Sequence, residues 1–153
     1  KRASLISSAC GAGSFSTTQD QLTTDLMKKF GEKVGMAFQI KDDLFDYGKA
    51  DVGKPTGNDI KEKKMTLPLI FTLNNCDAAT KAKIIHIFKN ATKKKSEVNY
   101  IIDVVTKNGG ISYAELQMKN YIEEAFLILD SLGPSNAKKH LKELVNYTIE
   151  RNY

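Results

Sequence analysis

At 153 residues, with 41% hydrophobic and 27% charged side chains, the chain has the size and apolar content of one globular domain with a real core. No stretch is long and apolar enough to span a bilayer and no signal peptide is visible, though a cut start would hide one, so the expectation is a chain with no transmembrane segment in a cytoplasmic setting. The net charge of +5, from 23 Lys plus Arg against 18 Asp plus Glu, is spread along the chain; the run Lys93, Lys94, Lys95 lies between two helical patterns, has no interleaved aromatics, and reads as a solvated loop rather than a nucleic-acid contact.

Helical periodicity dominates. The chain begins at Lys1 and enters at once an apolar-patterned run, Ala3, Leu5, Ile6 and Ala9. This reads as a helix over residues 1–12, cut from a longer chain and stopped at Gly11 and Gly13. Residues 14–18 read as polar turn. Thr18 is the expected cap of a long helix reaching about residue 47, in which Leu22, Leu26, Phe30, Val34 and Phe38 recur every four residues. Gly31 and Gly35 interrupt that helix at a cost of up to about 1 kcal/mol each in an exposed setting. Four apart, they share a face, and close packing against a neighbouring helix is the expected reason for them.

A loop with three glycines, Pro55 and several charges follows over residues 48–58. Thr66 then caps a helix with Pro68 in its first turn, where a missing N–H does no harm. Asp77 or Thr80 opens the next, through Phe88. Ser96 opens another, with Val98, Ile101, Ile102 and Val105 on its apolar face and Gly109 and Gly110 to stop it. A long helix over 111–132 ends at Gly133-Pro134, and Ser135 caps a last one to Tyr153. Almost nothing alternates with period two, so the expectation is an all-α chain forming a single domain over 1–153. Cys10 and Cys76 have no close spacing, which points to a reducing compartment rather than a disulfide or zinc framework. His86 sits in an apolar run and reads as a packing or partly exposed side chain, His140 as solvated, and Tyr121 and Phe126 as a buried helix face.

The chemistry-bearing segment is Phe38-Gln39-Ile40-Lys41-Asp42-Asp43-Leu44-Phe45-Asp46. On a helix Asp42 and Asp46 share a face, Asp43 flanks them, and Gln39 lies one turn before. Three carboxylates crowded at a helix C-terminus repel one another and meet the negative end of the macrodipole. A divalent cation with hard oxygen ligands would offset this, and Mg²⁺ prefers one or two carboxylates, waters and substrate phosphates. An acidic helix end paired with nearby lysines is the competing reading. Downstream, Gly53-Lys54-Pro55, Asp59 and Lys64 add a glycine-rich loop and lysines suited to phosphate oxygens. The loop lacks the P-loop pattern, so nucleotide binding is not indicated.

FQIKDDLFD is similar to the second aspartate-rich motif of the trans-prenyl diphosphate synthases. GKPTGNDIKEKKMTLPLI resembles the segment that follows it in long-chain, octaprenyl-type members, KRASLIS the family's KTASLI helix, and NGGISYAELQMKNYIEEAFLILDSL its penultimate helix. The resemblance implies an all-α terpenoid-synthase-type bundle, of which this chain is the carboxy-terminal half, and Mg²⁺ as cofactor. It also implies a reaction: an allylic prenyl diphosphate ionises, isopentenyl diphosphate attacks the cation, and a proton is lost. Carried over by position, Asp42 is the direct metal ligand, and Asp43 and Asp46 support it through water or outer contacts. Gln39 faces the substrate, Phe38 the allylic tail. Lys1, Lys54 and Lys64 contact the allylic diphosphate, and Asp59 orders the loop and reaches metal-bound water.

Two departures stand out. Arg2 replaces the family's usual Thr, and the loop between Asp46 and Lys54 is a few residues shorter than in many members. The first aspartate-rich motif and the residues for isopentenyl diphosphate fall outside the chain. The expectation is therefore half an active site, inactive alone, associated either as a homodimer or with the missing amino-terminal half through Leu22, Leu26, Phe30 and Val34. A noncatalytic partner-binding subunit and a terpene cyclase are the alternatives. The intact acid cluster argues against the first. DDLFD argues against the second, because cyclases usually carry a mixed Asn/Ser/Glu pattern there.

Overall fold

The computed structural model of the chain describes residues 2–48, 56–90 and 92–150. Every regular element among them is helical: α1 (Arg2–Thr18), α2 (Gln21–Phe45), α3 (Asn58–Lys61), α4 (Leu67–Asn75), α5 (Ala78–Lys89), α6 (Lys95–Lys107), α7 (Gly110–Ser131) and α8 (Asn136–Glu150). The all-α expectation holds. The chain forms two compact units, Lys1–Lys41 with Gln117–Asn152, and Asp42–Leu116, so α2 and α7 each contribute residues to both.

In the first unit α1 packs on α2 through the two glycines. A Cβ at Gly31 would lie 2.7 Å from the Ile6 carbonyl oxygen and 2.9 Å from Cys10 Sγ, and one at Gly35 would lie 2.5 Å from Ala3 Cα. No side chain fits there, which is why a long helix tolerates two residues of poor helix propensity. Helix α1 does not stop at Gly11 and Gly13 as expected; it runs on through the polar stretch. Hydroxyls explain this: Ser16 Oγ donates to the Gly13 carbonyl at 2.9 Å, and Thr17 and Thr18 Oγ1 each donate to the Ser14 carbonyl at 3.0 Å. Side chains that usually compete with a helix here bond back to carbonyls one turn earlier in the same helix, and so do not draw its backbone away. The cap of α2 is Asp20 rather than Thr18, its carboxylate accepting the Thr23 N–H at 2.8 Å.

Phe30, Ala125, Leu129 and Val145 form the core of this unit, with Met27, Val34, Phe126 and Leu141 packed on it. Phe30 is therefore covered by α7 and α8, contrary to the expectation that it waits for a partner, whereas Leu22 stays 71% exposed. Tyr121 is half-buried rather than buried, with Lys33 Nζ 5.3 Å from its ring centre.

In the second unit Tyr47, Ile60, Leu69, Ile84, Val98, Ile101 and Val105 make the core. Each fully buried aliphatic side chain contributes roughly 1.5–3 kcal/mol. Asp77 caps α5 by accepting the Thr80 N–H at 2.9 Å. Helix α6 begins at Lys95, ahead of the expected Ser96, because Glu97 reaches back to the Lys94 N–H at 2.7 Å. His86 and His140 are both exposed. Among the described residues no helix is long and apolar enough to cross a membrane.

Candidate functional site

The last turn of α2 carries Asp42 and Asp43, both half-buried, and the chain then turns through Asp46 and Tyr47, both buried. Asp46 is 8% exposed. Its Oδ1 accepts the Asn58 N–H at 2.7 Å, its Oδ2 accepts the Asp59 N–H at 3.0 Å, and its carbonyl accepts the Gly57 N–H at 2.9 Å. One residue thus fastens the far end of the loop to the end of α2. Burial pushes the Asp46 carboxyl up, the Asp59 charge adds to that, and the backbone donors of Asn58, Asp59 and Ile60 oppose it.

The loop ends on Gly57, with φ of +78°, as the N-cap of α3. A Cβ there would run into Val98 Cγ1, so the position demands glycine on both conformational and steric grounds. Asn58 is the first residue of α3, not the end of a loop. In the sequence, glycine followed by Asn-Asp was the available signal for this short helix.

Asp59 sits in the first turn of α3, and its Oδ1 accepts from Lys64 Nζ at 2.9 Å while its carbonyl accepts the Lys64 N–H at 2.8 Å. Lys64 also pairs with Glu62 at 2.8 Å. These carboxylates, Glu62 first, raise the Lys64 ammonium above the ordinary lysine range. Tyr47 was not singled out from the sequence. Its hydroxyl shares a 2.5 Å hydrogen bond with Thr66 Oγ1, so Thr66 stands at the N-cap of α4 with its side chain turned to Tyr47 instead of the helix. Burial pushes the phenol up, the hydrogen bond with Thr66 opposes it, and the charges of Asp46, Asp43 and Asp59 push it up further.

Of the residues singled out by sequence, the fold brings Asp43, Asp46 and Asp59 into one field around Tyr47 and joins Asp59 to Lys64. Phe38 and Gln39 belong to the first unit, where both are half-buried and the Arg2 guanidinium lies 5.9 Å from the Phe38 ring centre, within cation–π range. The departure at Arg2 therefore meets Phe38. Lys1 and Lys54 lie outside the described residues. No group of three His, Cys, Asp or Glu among the described residues could hold a metal ion by itself. The donors at the end of α2 are nevertheless hard carboxylate oxygens. They fit a divalent ion that takes one or two carboxylates from this chain and its remaining oxygens from water and phosphate, which is the habit of Mg²⁺.

The polyprenyl synthetase family model matches residues 1–105. The chain is 30% identical over 154 residues to solanesyl diphosphate synthase 1, chloroplastic, of Arabidopsis thaliana, a match covering 99% of this chain and 36% of that protein. It resembles the crystal structure of geranylgeranyl pyrophosphate synthase from Bacteroides thetaiotaomicron with a TM-score of 0.90 at 35% identity, over 99% of this chain and 50% of that one. It resembles geranylgeranyl pyrophosphate synthase from Corynebacterium glutamicum, complexed with calcium and isoprenyl diphosphate, with a TM-score of 0.83 at 30% identity, over 98% of this chain and 47% of that one. The fold is accordingly of the all-α terpenoid-synthase type, and the chain spans half or less of the length of these relatives.

Proposed function

The chain belongs to the polyprenyl synthetase family, and from that premise we propose that it supplies the second aspartate-rich half of a trans-prenyl diphosphate synthase site. In the reaction read for it, the C–O bond of an allylic diphosphate breaks and diphosphate leaves with the electron pair. The double bond of isopentenyl diphosphate attacks the allylic cation, forming a C–C bond, and loss of a proton restores an alkene.

The observation that carries this reading is the gathering of carboxylates at the end of α2 and on the turn that Asp46 fastens to it. Asp42, with Asp43 beside it, would hold Mg²⁺, which would supply neutralisation of the charge that develops on the departing diphosphate. Asp46 holds the turn, and Asp59 orients Lys64 toward phosphate oxygens, with Lys1 and Lys54 as further phosphate contacts. Gln39 and Phe38 are assigned to the allylic chain. The Corynebacterium relative, described as a complex with calcium and isoprenyl diphosphate, supports a divalent ion and a diphosphate together. The free thiols of Cys10 and Cys76 agree with a reducing setting. We read the chain as one half of a bundle, working with a second copy or with a polypeptide that carries the other half.

Calorimetric titration of inorganic pyrophosphate into the chain tests this. Binding is expected with Mg²⁺, is abolished by chelation, and is lost in Asp42→Ala. Equal affinity in Asp42→Ala, or binding indifferent to Mg²⁺, rejects the assignment.

A further inference from the structure

The second unit gathers lysines that the sequence scatters over 35 positions. Lys63 follows α3 in the left-handed region at φ of +59°, and its Nζ donates to the Lys89 carbonyl at the end of α5 at 2.9 Å. Lys93 Nζ donates to the Asn90 carbonyl at 3.2 Å and lies 3.5 Å from the Lys61 carbonyl. Burial first, and then the charge of Lys63, holds the Lys93 ammonium below the ordinary lysine range, which places the two cations within each other's field. Lys94 and Lys95 follow directly, both exposed, as are Lys61, Lys63 and Lys89. The run that reads as a solvated loop in the sequence is thus one edge of a larger basic patch. Among the described residues no ion pair joins a carboxylate to these six lysines; the nearby Glu62 is engaged by Lys64, and Glu97, whose charge acts on Lys93, is turned back to the Lys94 N–H.

Apolar side chains accompany the patch. On α5, Lys81, Ile85 and Lys89 follow at intervals of four and share its outer face, with Ile85 37% exposed. Met65, two residues after Lys63, is 51% exposed. Lysines flanking exposed aliphatic groups suit a headgroup layer, where ammonium groups meet phosphates and apolar tips enter the acyl boundary. Among the described residues the one aromatic against these lysines, Phe88, is half-buried with Lys93 Nζ 5.5 Å from its ring centre, whereas a polynucleotide would ask for exposed stacking aromatics or a groove. A cradle for one free phosphate would need the ammonium groups to converge, whereas Lys63 and Lys93 are tied to helix-end carbonyls.

We propose that this patch, centred on Lys61, Lys63, Lys89 and Lys93, docks the protein on anionic phospholipid membranes. A polyprenyl product would itself partition into a bilayer; that added motive rests on the function proposed above, while the surface and its test do not.

Co-sedimentation of the chain with vesicles, without any substrate, decides the matter. Binding is expected to vesicles of equal parts phosphatidylserine and phosphatidylcholine, to be absent on phosphatidylcholine alone, and to weaken with salt as exposed charges are screened. Each juxtamembrane lysine is worth about fivefold in partitioning. The quadruple variant Lys61→Gln, Lys89→Gln, Lys94→Gln, Lys95→Gln should therefore lose well over tenfold. It leaves the Lys63 and Lys93 hydrogen bonds in place, and circular dichroism checks that it is folded. A second quadruple variant, Lys29→Gln, Lys107→Gln, Lys119→Gln, Lys139→Gln, removes the same charge elsewhere and should bind as the parent does. Equal loss in the two variants would assign binding to net charge and overturn the patch. Binding to neutral vesicles, release by millimolar inorganic phosphate at constant ionic strength, or preference for a duplex oligonucleotide over vesicles would overturn the membrane as its partner.

Discussion

The carboxylate of Asp46 accepts the backbone N–H of Asn58 at 2.7 Å. This bond, with its companion to Asp59, closes the loop onto the helix that carries Asp42 and Asp43. Replacing Asp46 by Ala leaves two backbone donors without their acceptor. Hydrogen bonds to a charged partner contribute more than neutral ones, but burial penalises this carboxylate, so the net loss is expected at about 2 kcal/mol. Asp46→Asn keeps one good acceptor and avoids burying a charge, and should lose about half as much. Thermal or urea melts of the two variants check the order. An Asn variant less stable than the Ala variant would contradict it.

Glycines offer a paired test of helix packing. Gly13 lies within α1 with nothing near its missing Cβ, while Gly35 presses on Ala3 Cα. Gly13→Ala should stabilise by up to about 1 kcal/mol through helix propensity alone. Gly35→Ala gains the same propensity but forces α1 away, and should destabilise by about 1–3 kcal/mol. Denaturant midpoints that move the same way for both would refute the close contact.

Helix identity was legible because apolar spacing is local: the faces of α2 and α6 can be read from residues three and four apart. The ends of helices were less so. Glycines and hydroxyls at the end of α1 carry a stop signal in isolation, and only back-bonding of Ser16, Thr17 and Thr18 shows that the helix continues. The acid string was legible for the same local reason, as a cluster ending one helix. What Asp46 does was not, since its partners lie twelve and thirteen residues on. Thr66 is a further case. Its place before Leu67-Pro68 marks a cap, and the place is right, yet Tyr47, nineteen residues back, takes its hydroxyl. The lysine patch also needed the fold, because its members come from three separate segments.

Elongation activity should be absent from the 153-residue chain on its own. It carries the segment resembling the second aspartate-rich motif and spans 36% of the plant solanesyl synthase, so the groups proposed to ionise the diphosphate would act without the rest of such a site. Incubation with radiolabelled isopentenyl diphosphate, an allylic diphosphate and Mg²⁺ is expected to give no extractable product above background. In any longer polypeptide that contains this chain and is active, Asp42→Ala should lower kcat by several orders of magnitude, and Lys54→Ala should raise the barrier by about 2–4 kcal/mol. Near-normal kinetics for both would remove these residues from the machinery.

Alkaline stability should report on Tyr47. In the folded chain its phenol is held above the ordinary value of 10.0 by burial and by Asp46, Asp43 and Asp59. The native state therefore keeps a proton that the unfolded chain releases, and stability falls as pH rises beyond 10. Below that pH Tyr47 is neutral in both states and contributes no slope. Lys33 and Lys64, raised by Glu124 and by Glu62 with Asp59 respectively, lose their contributions in the same direction as pH climbs through their folded values, so the wild-type curve alone does not isolate the phenol. Tyr47→Phe does. It removes the hydrogen bond to a Thr66 that is 3% exposed, and near neutral pH should cost about 1–2 kcal/mol. Above pH 10 it has no phenol to ionise, so its stability should fall less steeply and the two curves should converge. The difference between absorbance titrations of the native protein and of Tyr47→Phe should in parallel show the Tyr47 phenol ionising above its ordinary range. Parallel stability curves, or a difference titration that leaves the Tyr47 phenol at its ordinary value, would show that Tyr47 is not held in this field.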